Sequence, residues 1–150
     1  MIKVEVLSGP LQHQLQKMRL RMTAGTPQMT RLIKATAGFM MEEVEENFEA
    51  EGRPDKWKEL SPVTIMLRAA KNRWPGKIMQ MEGHLADSIS SHTTRAGAQV
   101  GTNLKYAAIH HFGGRAGRGL KVTIPARPVL LLTDGGVKRI ITHAEKYYME

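Results

Sequence analysis

The sequence contains no cysteine. It therefore holds no disulfide framework, no thiolate metal site and no cysteine nucleophile, a usage that fits a reducing compartment. Aromatic residues are scarce, at 5%. No apolar run approaches the roughly 20 residues that a membrane span needs, and residues 1–22 carry polar side chains throughout, with no signal-peptide core. The expectation is a soluble chain, made in the cytoplasm, with no membrane partner. What is present is globular composition: 150 residues, 41% apolar and 24% charged, enough for one domain over residues 1–150 with a single core. Ten of the residues are methionine. Methionine fills irregular gaps and tolerates repacking, so it either stands in for leucine or marks a surface that adapts to partners.

Acidic residues are nearly missing from one stretch. Between residues 60 and 133, ten Lys and Arg face only Glu82 and Asp87, whereas residues 1–59 hold nine of each sign and residues 134–150 three of each. The net charge of +8 comes from that stretch. Residues 42–51 hold six carboxylates and no base. Such segregation steers association with an oppositely charged surface, either nucleic acid or the acidic element of a neighbouring copy.

The order of elements is helix-rich, then β-rich, then one closing helix. Residues 2–7 alternate as a short strand. Ser8 caps a helical stripe through Leu11, Leu15, Met18 and Met22. Thr26 and Pro27 open the strongest helix, with Met29, Leu32, Ile33, Ala37, Met40, Val44 and Phe48 on one face. Glu42, Glu43, Glu45, Glu46 and Glu49 cover its other surface near the C-terminal end, where the macrodipole prefers cations. A basic partner or solvent screening must offset them, with a solvated face the expectation. Residues 52–55 make a turn, and Trp57 packs beside a short helix capped by Ser61 and Pro62 that runs through Val63, Met66, Leu67 and Ala70. Residues 83–87 start a helix. Residues 88–94 and 98–102 form a hairpin. Asn103 caps a helix over 104–112 that ends at Gly113. Residues 113–119 read as a loop, 120–124 as a strand, 125–128 as an extended break and 129–132 as an apolar strand or tight segment. Asp134 caps the last helix, bearing Val137, Ile140, Ile141 and Ala144 inward. The fold class expected is α+β, a small antiparallel sheet packed by helices, with a long N-terminal helix and a C-terminal helix.

Several constellations invite a chemical reading. Neighbouring residues on a helix point about 100° apart, so His110 and His111 do not readily chelate one metal. A packed, hydrogen-bonded histidine is the expectation at His110. His84, Asp87 and Ser88 lack the nucleophile-elbow pattern of a hydrolase. The glutamates at 42–51 lack calcium-loop spacing. Residues 113–119 (G-G-R-A-G-R-G) lack the ending of a phosphate-binding loop, although Arg115 and Arg118 can touch phosphates. They read as a surface loop that orders when neighbouring proteins dock. No cofactor, metal or catalytic residue is expected.

Four ordered segments carry a resemblance: F-E-A-E-G-R-P-D-K-W-K-E-L-S-P-V-T (48–64), M-E-G-H-L-A-D-S-I (81–89), V-G-T-N-L-K-Y-A-A-I-H-H-F-G-G (100–114) and I-P-A-R-P-V-L-L-L (124–132). Together they resemble the phage virion morphogenesis family, the Mu-like G-type and tail-completion S-type proteins. The chain departs from the family's habit at Glu82, where a small hydroxyl residue is usual, and at Val129, where an aromatic is frequent. The resemblance implies a structural protein with no catalytic residues. It would act at tail completion or head–tail joining through homo-oligomers, with a ring as one form, and through other tail or neck proteins. It would be made in the host cytoplasm and end in the virion. DNA contact is compatible and not required; a basic DNA-binding accessory protein is the alternative function. Residues expected at partner or oligomer interfaces are the acidic Glu42, Glu43 and Glu46, then Trp57, Tyr106, His110 and Phe112, and the basic Arg115, Arg118 and Arg127. Pro125 and Pro128 hold Arg127 on a stiff segment, where it pairs with an acid of its own chain or across a subunit boundary.

Overall fold

The computed structural model describes residues 25–149 together with Ile2, Lys3, Gly9, Gln12, His13 and Gln16. In chain order the elements are β1 (Ile2–Lys3), α1 (Pro27–Glu49), α2 (Pro62–Ala70), α3 (His84–Asp87), β2 (Ser90–Thr93), β3 (Ala98–Thr102), α4 (Ala107–Phe112), β4 (Gly114–Ala116), a 3-10 turn (Arg118–Leu120), β5 (Val122–Ile124) and α5 (Asp134–Met149). Among the described residues, no helix is long and apolar enough to cross a membrane.

Thr26 and Pro27 start α1 as their chemistry dictates. The Thr26 hydroxyl accepts from the Met29 N–H at 3.2 Å, and Pro27 occupies the first turn, where its missing donor costs nothing. Leu32, Ile33, Ala37, Val44 and Phe48 are buried along the expected face. That face lies against β2, β3 and α5. Leu32 packs with Ala144 at one end of the pair, and Glu43 meets Arg139 at the other, so α1 and α5 run antiparallel. The sheet has strand order β1-β3-β2 and is antiparallel, with Ile2 opposite Thr102 and Ser90 opposite Gly101. The architecture is α+β: a three-stranded sheet, a long helix and a closing helix, with a β4–β5 hairpin beside them. The main core gathers Val44, Phe48, Trp57, Leu85, Ile89, Val100, Ala107, Val129 and Leu130.

Several expectations are corrected. Trp57 does not stay beside the entry of α2. It enters the main core, edge-on to Phe48 at 5.7 Å between ring centroids. Residues 113–119 are not a plain loop. Gly114–Ala116 pair with β5, and Gly117 and Gly119 supply the positive φ that the tight tip requires. The helix over 104–112 begins only at Ala107, because the Thr102 hydroxyl takes the Leu104 N–H at 3.2 Å in a preceding turn. Residues 129–132 form no strand; their backbone groups bond to side chains instead. Thr133, not Asp134, caps α5: its hydroxyl accepts from Gly136 N–H at 3.0 Å and its carbonyl from Val137 N–H at 2.9 Å. Most of the helix predicted at Leu11–Met22, its Ser8 cap and most of the strand expected at 2–7 lie outside the described residues.

Candidate functional site

Glu43 sits on the buried side of α1, three residues after Met40 and four before Asn47, and is 2% exposed. Its carboxylate accepts from Thr133 N–H at 3.1 Å and the Thr133 hydroxyl at 2.7 Å. It also pairs with Arg53 at 3.1 Å and Arg139 at 2.9 Å. The carboxylate thus lies at the N-terminal end of α5, where the macrodipole favours an anion. A Cβ on Gly136 would fall 2.2 Å from the Glu43 carboxyl carbon, so only glycine lets the first turn of α5 approach this closely. Arg53 pairs with Glu46 too, and Arg139 lies 3.6 Å from Glu42. The expected solvated face is corrected for these residues: basic partners from the same chain offset much of the acidic end of α1. Lys56, Lys77 and Gln80 donate to the carbonyls of Ala50, Glu49 and Phe48, which closes the helix end electrostatically.

The proline-flanked segment is held by side chains from three directions. Asn47, fully buried, donates to the carbonyls of Val129 (3.2 Å) and Leu131 (2.8 Å) and accepts from Arg53 Nε at 3.1 Å. Trp57 donates its indole N–H to the Pro128 carbonyl at 3.2 Å. Arg127 Nε and Nη2 donate to the Lys58 carbonyl, and Nη2 also to that of Glu59, at 2.8–3.1 Å. Arg127 therefore engages backbone oxygens; among the described residues no carboxylate pairs with it. His111 Nδ1 accepts from Val129 and Leu130 N–H at 3.3 and 3.4 Å. Gly113 keeps φ at +73°, and a Cβ there would lie 2.7 Å from Ala126 N, which lets α4 meet the segment.

The interface residues read from the sequence therefore separate. Glu43, Trp57 and Arg127 are buried in contacts within the chain, although Arg127 also lines a surface cleft. His110 is half-buried, edge-on to Tyr106 at 6.0 Å, with Nδ1 buried and no hydrogen-bond partner among the described residues. Burial first, and the Arg127 charge second, push its pKa below the ordinary imidazole value. Burial does the same to His111. Tyr106, Phe112, Arg115, Arg118 and Glu42 are exposed, and Glu46 is half-exposed. Asn47, Arg53, His111, Thr133, Gly136 and Arg139 were missed. Helical phase alone places Asn47 on the inner face, three residues beyond Val44; nothing in the sequence pairs Gly136 with Glu43 across more than ninety residues.

The surface has two notable features. One is a cleft of about 1030 Å³ between the start of α2, residues 79–85, the first turn of α4 and β5. The other is α2 itself, whose apolar stripe faces outward: Val63, Met66 and Leu67 are 66%, 71% and 62% exposed, and only Arg68 is buried. Phe112, Leu120 and Val122 are exposed as well. No catalytic set assembles from the residues weighed above. Ser88 donates inward to the Leu85 carbonyl at 2.7 Å, while His84 pairs with Glu82 at 3.2 Å.

The model of the phage virion morphogenesis family matches residues 10–148. "Mu-like prophage FluMu G protein 2" of Haemophilus influenzae is 41% identical over 128 residues, covering 85% of this chain and 84% of that protein. "Putative capsid assembly protein G" of Escherichia phage Mu is 30% identical over 117 residues, covering 75% of each. No solved structure matches the chain significantly. With the family model matching nearly the whole length, and a relative 41% identical over most of both chains, the protein belongs to the phage virion morphogenesis family.

Proposed function

We propose that the protein is a non-catalytic structural subunit that acts at tail completion or head–tail joining, by associating with its own copies and docking onto other tail or neck proteins. The observation that carries this reading is the outward apolar stripe of α2. A nine-residue helix with Val63, Met66 and Leu67 about two-thirds exposed gains up to about 1–2 kcal/mol per side chain when a partner covers it. The name of the phage Mu relative, a capsid assembly protein, supports an assembly role. Segregated charge supplies register and encounter rate. Contacts between unlike surfaces repeat into a closed ring when the rotation allows. The subunit is made in the host cytoplasm and is carried into the virion. Mass photometry and sedimentation, with and without purified tails, test the proposal. A chain that stays monomeric and binds no tail, or a gene deletion that leaves infectious particles intact, overturns it.

A second reading rests on the β4–β5 hairpin, which exposes Arg115, Arg118 and Lys121 together. DNA contact at that tip predicts a mobility shift that weakens steeply with salt.

A further inference from the structure

Arg68 and Arg127 line the same cleft, and each is only 6% exposed. Arg68 Nη1 donates to the Lys77 carbonyl at 2.9 Å, and Arg127 uses Nε and Nη2 on the carbonyls of Lys58 and Glu59. Arg68 Nε and Nη2 and Arg127 Nη1 meet no acceptor among the described residues. The acids nearby are otherwise placed. Glu51 lends Arg68 some compensating charge but accepts from the Ile78 N–H; Glu59 and Glu82 line the cleft as well, Glu82 paired with His84 and Glu59 exposed, and among the described residues neither carboxylate pairs with Arg68 or Arg127. Burial, and then the Arg68 charge, lower the pKa of Arg127. Two cations sharing one cleft with free donors form a receptor that lacks its anion. A carboxylate entering the cleft gains charge-assisted hydrogen bonds from donors that otherwise face solvent.

The chain also carries the complementary group. Glu42, Glu45 and Glu49 fall within about 60° of one another around α1, on the side facing away from the core. The side chains of Glu45 and Glu49 meet no partner among the described residues. Within this molecule they are acids without cations among the described residues, while the cleft sets Lys58, Arg68 and Arg127 against Glu59 and Glu82 and so keeps a net positive lining. Resting on the self-association proposed above, we infer that the Arg68–Arg127 cleft receives the Glu45–Glu49 edge of α1 from a second copy of this chain. Met79, Met81, Tyr106 and Val122 line the cleft walls and would cover the methylene stems of the incoming glutamates. Donor and acceptor are different surfaces, so the contact is head-to-tail and leaves each copy with one edge to give and one cleft to fill.

The absence of native cysteine permits a direct test. Wild-type association is measured first. Glu45→Cys protein is then mixed with Tyr106→Cys protein and treated with a short bis-maleimide, and Thr94→Cys on the exposed β2–β3 turn replaces Tyr106→Cys as the control. The E45C–Y106C product is expected to form several-fold faster than E45C–T94C. Separately, E45Q/E49Q, which alters only exposed side chains, is expected to weaken self-association about tenfold with an unchanged melting temperature. Equal crosslinking rates, or unchanged association of E45Q/E49Q, overturn the cleft assignment while wild-type self-association, and with it the proposed function, stands. A wild-type chain that does not self-associate removes the basis of both. Protection of Y106C from maleimide by duplex DNA, with none by E45C protein, overturns the assignment in favour of a phosphate ligand.

Discussion

Glu43 joins three parts of the chain with one carboxylate: the turn after α1 through Arg53, the cap of α5 through Thr133, and the body of α5 through Arg139. Replacing it with glutamine keeps the volume and loses the charge between two guanidiniums. Because Arg53 and Arg139 are partly exposed, at 23% and 40% of their side chains, the cost is about 1–3 kcal/mol, below that of a fully buried pair. E43Q should melt lower by roughly 2–4 °C for each kcal/mol in calorimetry, while E45Q stays within about 0.5 kcal/mol of wild type. Gly136→Ala should cost about 1–3 kcal/mol despite alanine's better helix propensity, because the new methyl meets the Glu43 carboxylate. A neutral or stabilising G136A would refute this packing. His111 supplies a pH dependence. Its Nδ1 accepts two backbone N–H groups only while unprotonated, and burial holds its folded pKa below the unfolded value of about 6.5. The unfolded chain therefore binds more protons in that window. The stability is fully present above about pH 6.5 and is lost as pH falls through the folded value. His110 shifts in the same direction. Melting temperature should fall from pH 7 to pH 5, and His111→Asn should flatten part of that slope; superimposable profiles would remove His111 from the account.

At the scale of elements, what the sequence disclosed depended on whether neighbours in sequence decided the outcome. The face of α1 and the caps at Thr26 and Ser61 were legible because they rest on local periodicity and on one hydroxyl reaching three residues ahead. Of the two readings of residues 129–132, an apolar strand or a tight segment, the strand fails because their hydrogen bonds go to Asn47 and His111, far away in the chain. The hairpin at 113–124 was half-read: Val122–Ile124 alternates, but its partner strand is glycine and arginine with no β signature. The candidate site was less legible still. Tyr106 and Phe112 stand exposed, Arg127 is buried with Nε and Nη2 on carbonyls, and Arg68, inside an apolar run, carries no sequence signal of its burial. Helix α2 carries its own prediction. Met66→Asp with Leu67→Asp should leave the monomer's melting temperature within about 0.5 kcal/mol equivalent of wild type, because both side chains already face water. It should abolish association in sedimentation runs. A double variant that still assembles would leave the stripe with no role in docking.

For the whole molecule, opposite charges are concentrated on different elements, while most of the exposed large apolar side chains lie on α2, α4 and the β4–β5 hairpin. These make separate demands on an assembling pair. Raising salt from about 0.1 M to 1 M shortens the screening length from roughly 10 Å to 3 Å. Association rates measured by stopped flow should fall, while dissociation, governed by buried apolar area, should change little. If dissociation accelerated as much as association slowed, charge and not apolar burial would hold the copies together. The knot around Asn47 and Glu43 also has a timing consequence. Their acceptors and donors at Val129, Leu131, Thr133 and Arg139 leave the ribosome some eighty to ninety-six residues later. Until that stretch emerges, α1 has no lid over its polar inner positions and the core lacks Val129 and Leu130. If copies associate as proposed, a nascent chain has no finished fold to offer a neighbour, and association would draw on completed chains rather than on chains still being translated.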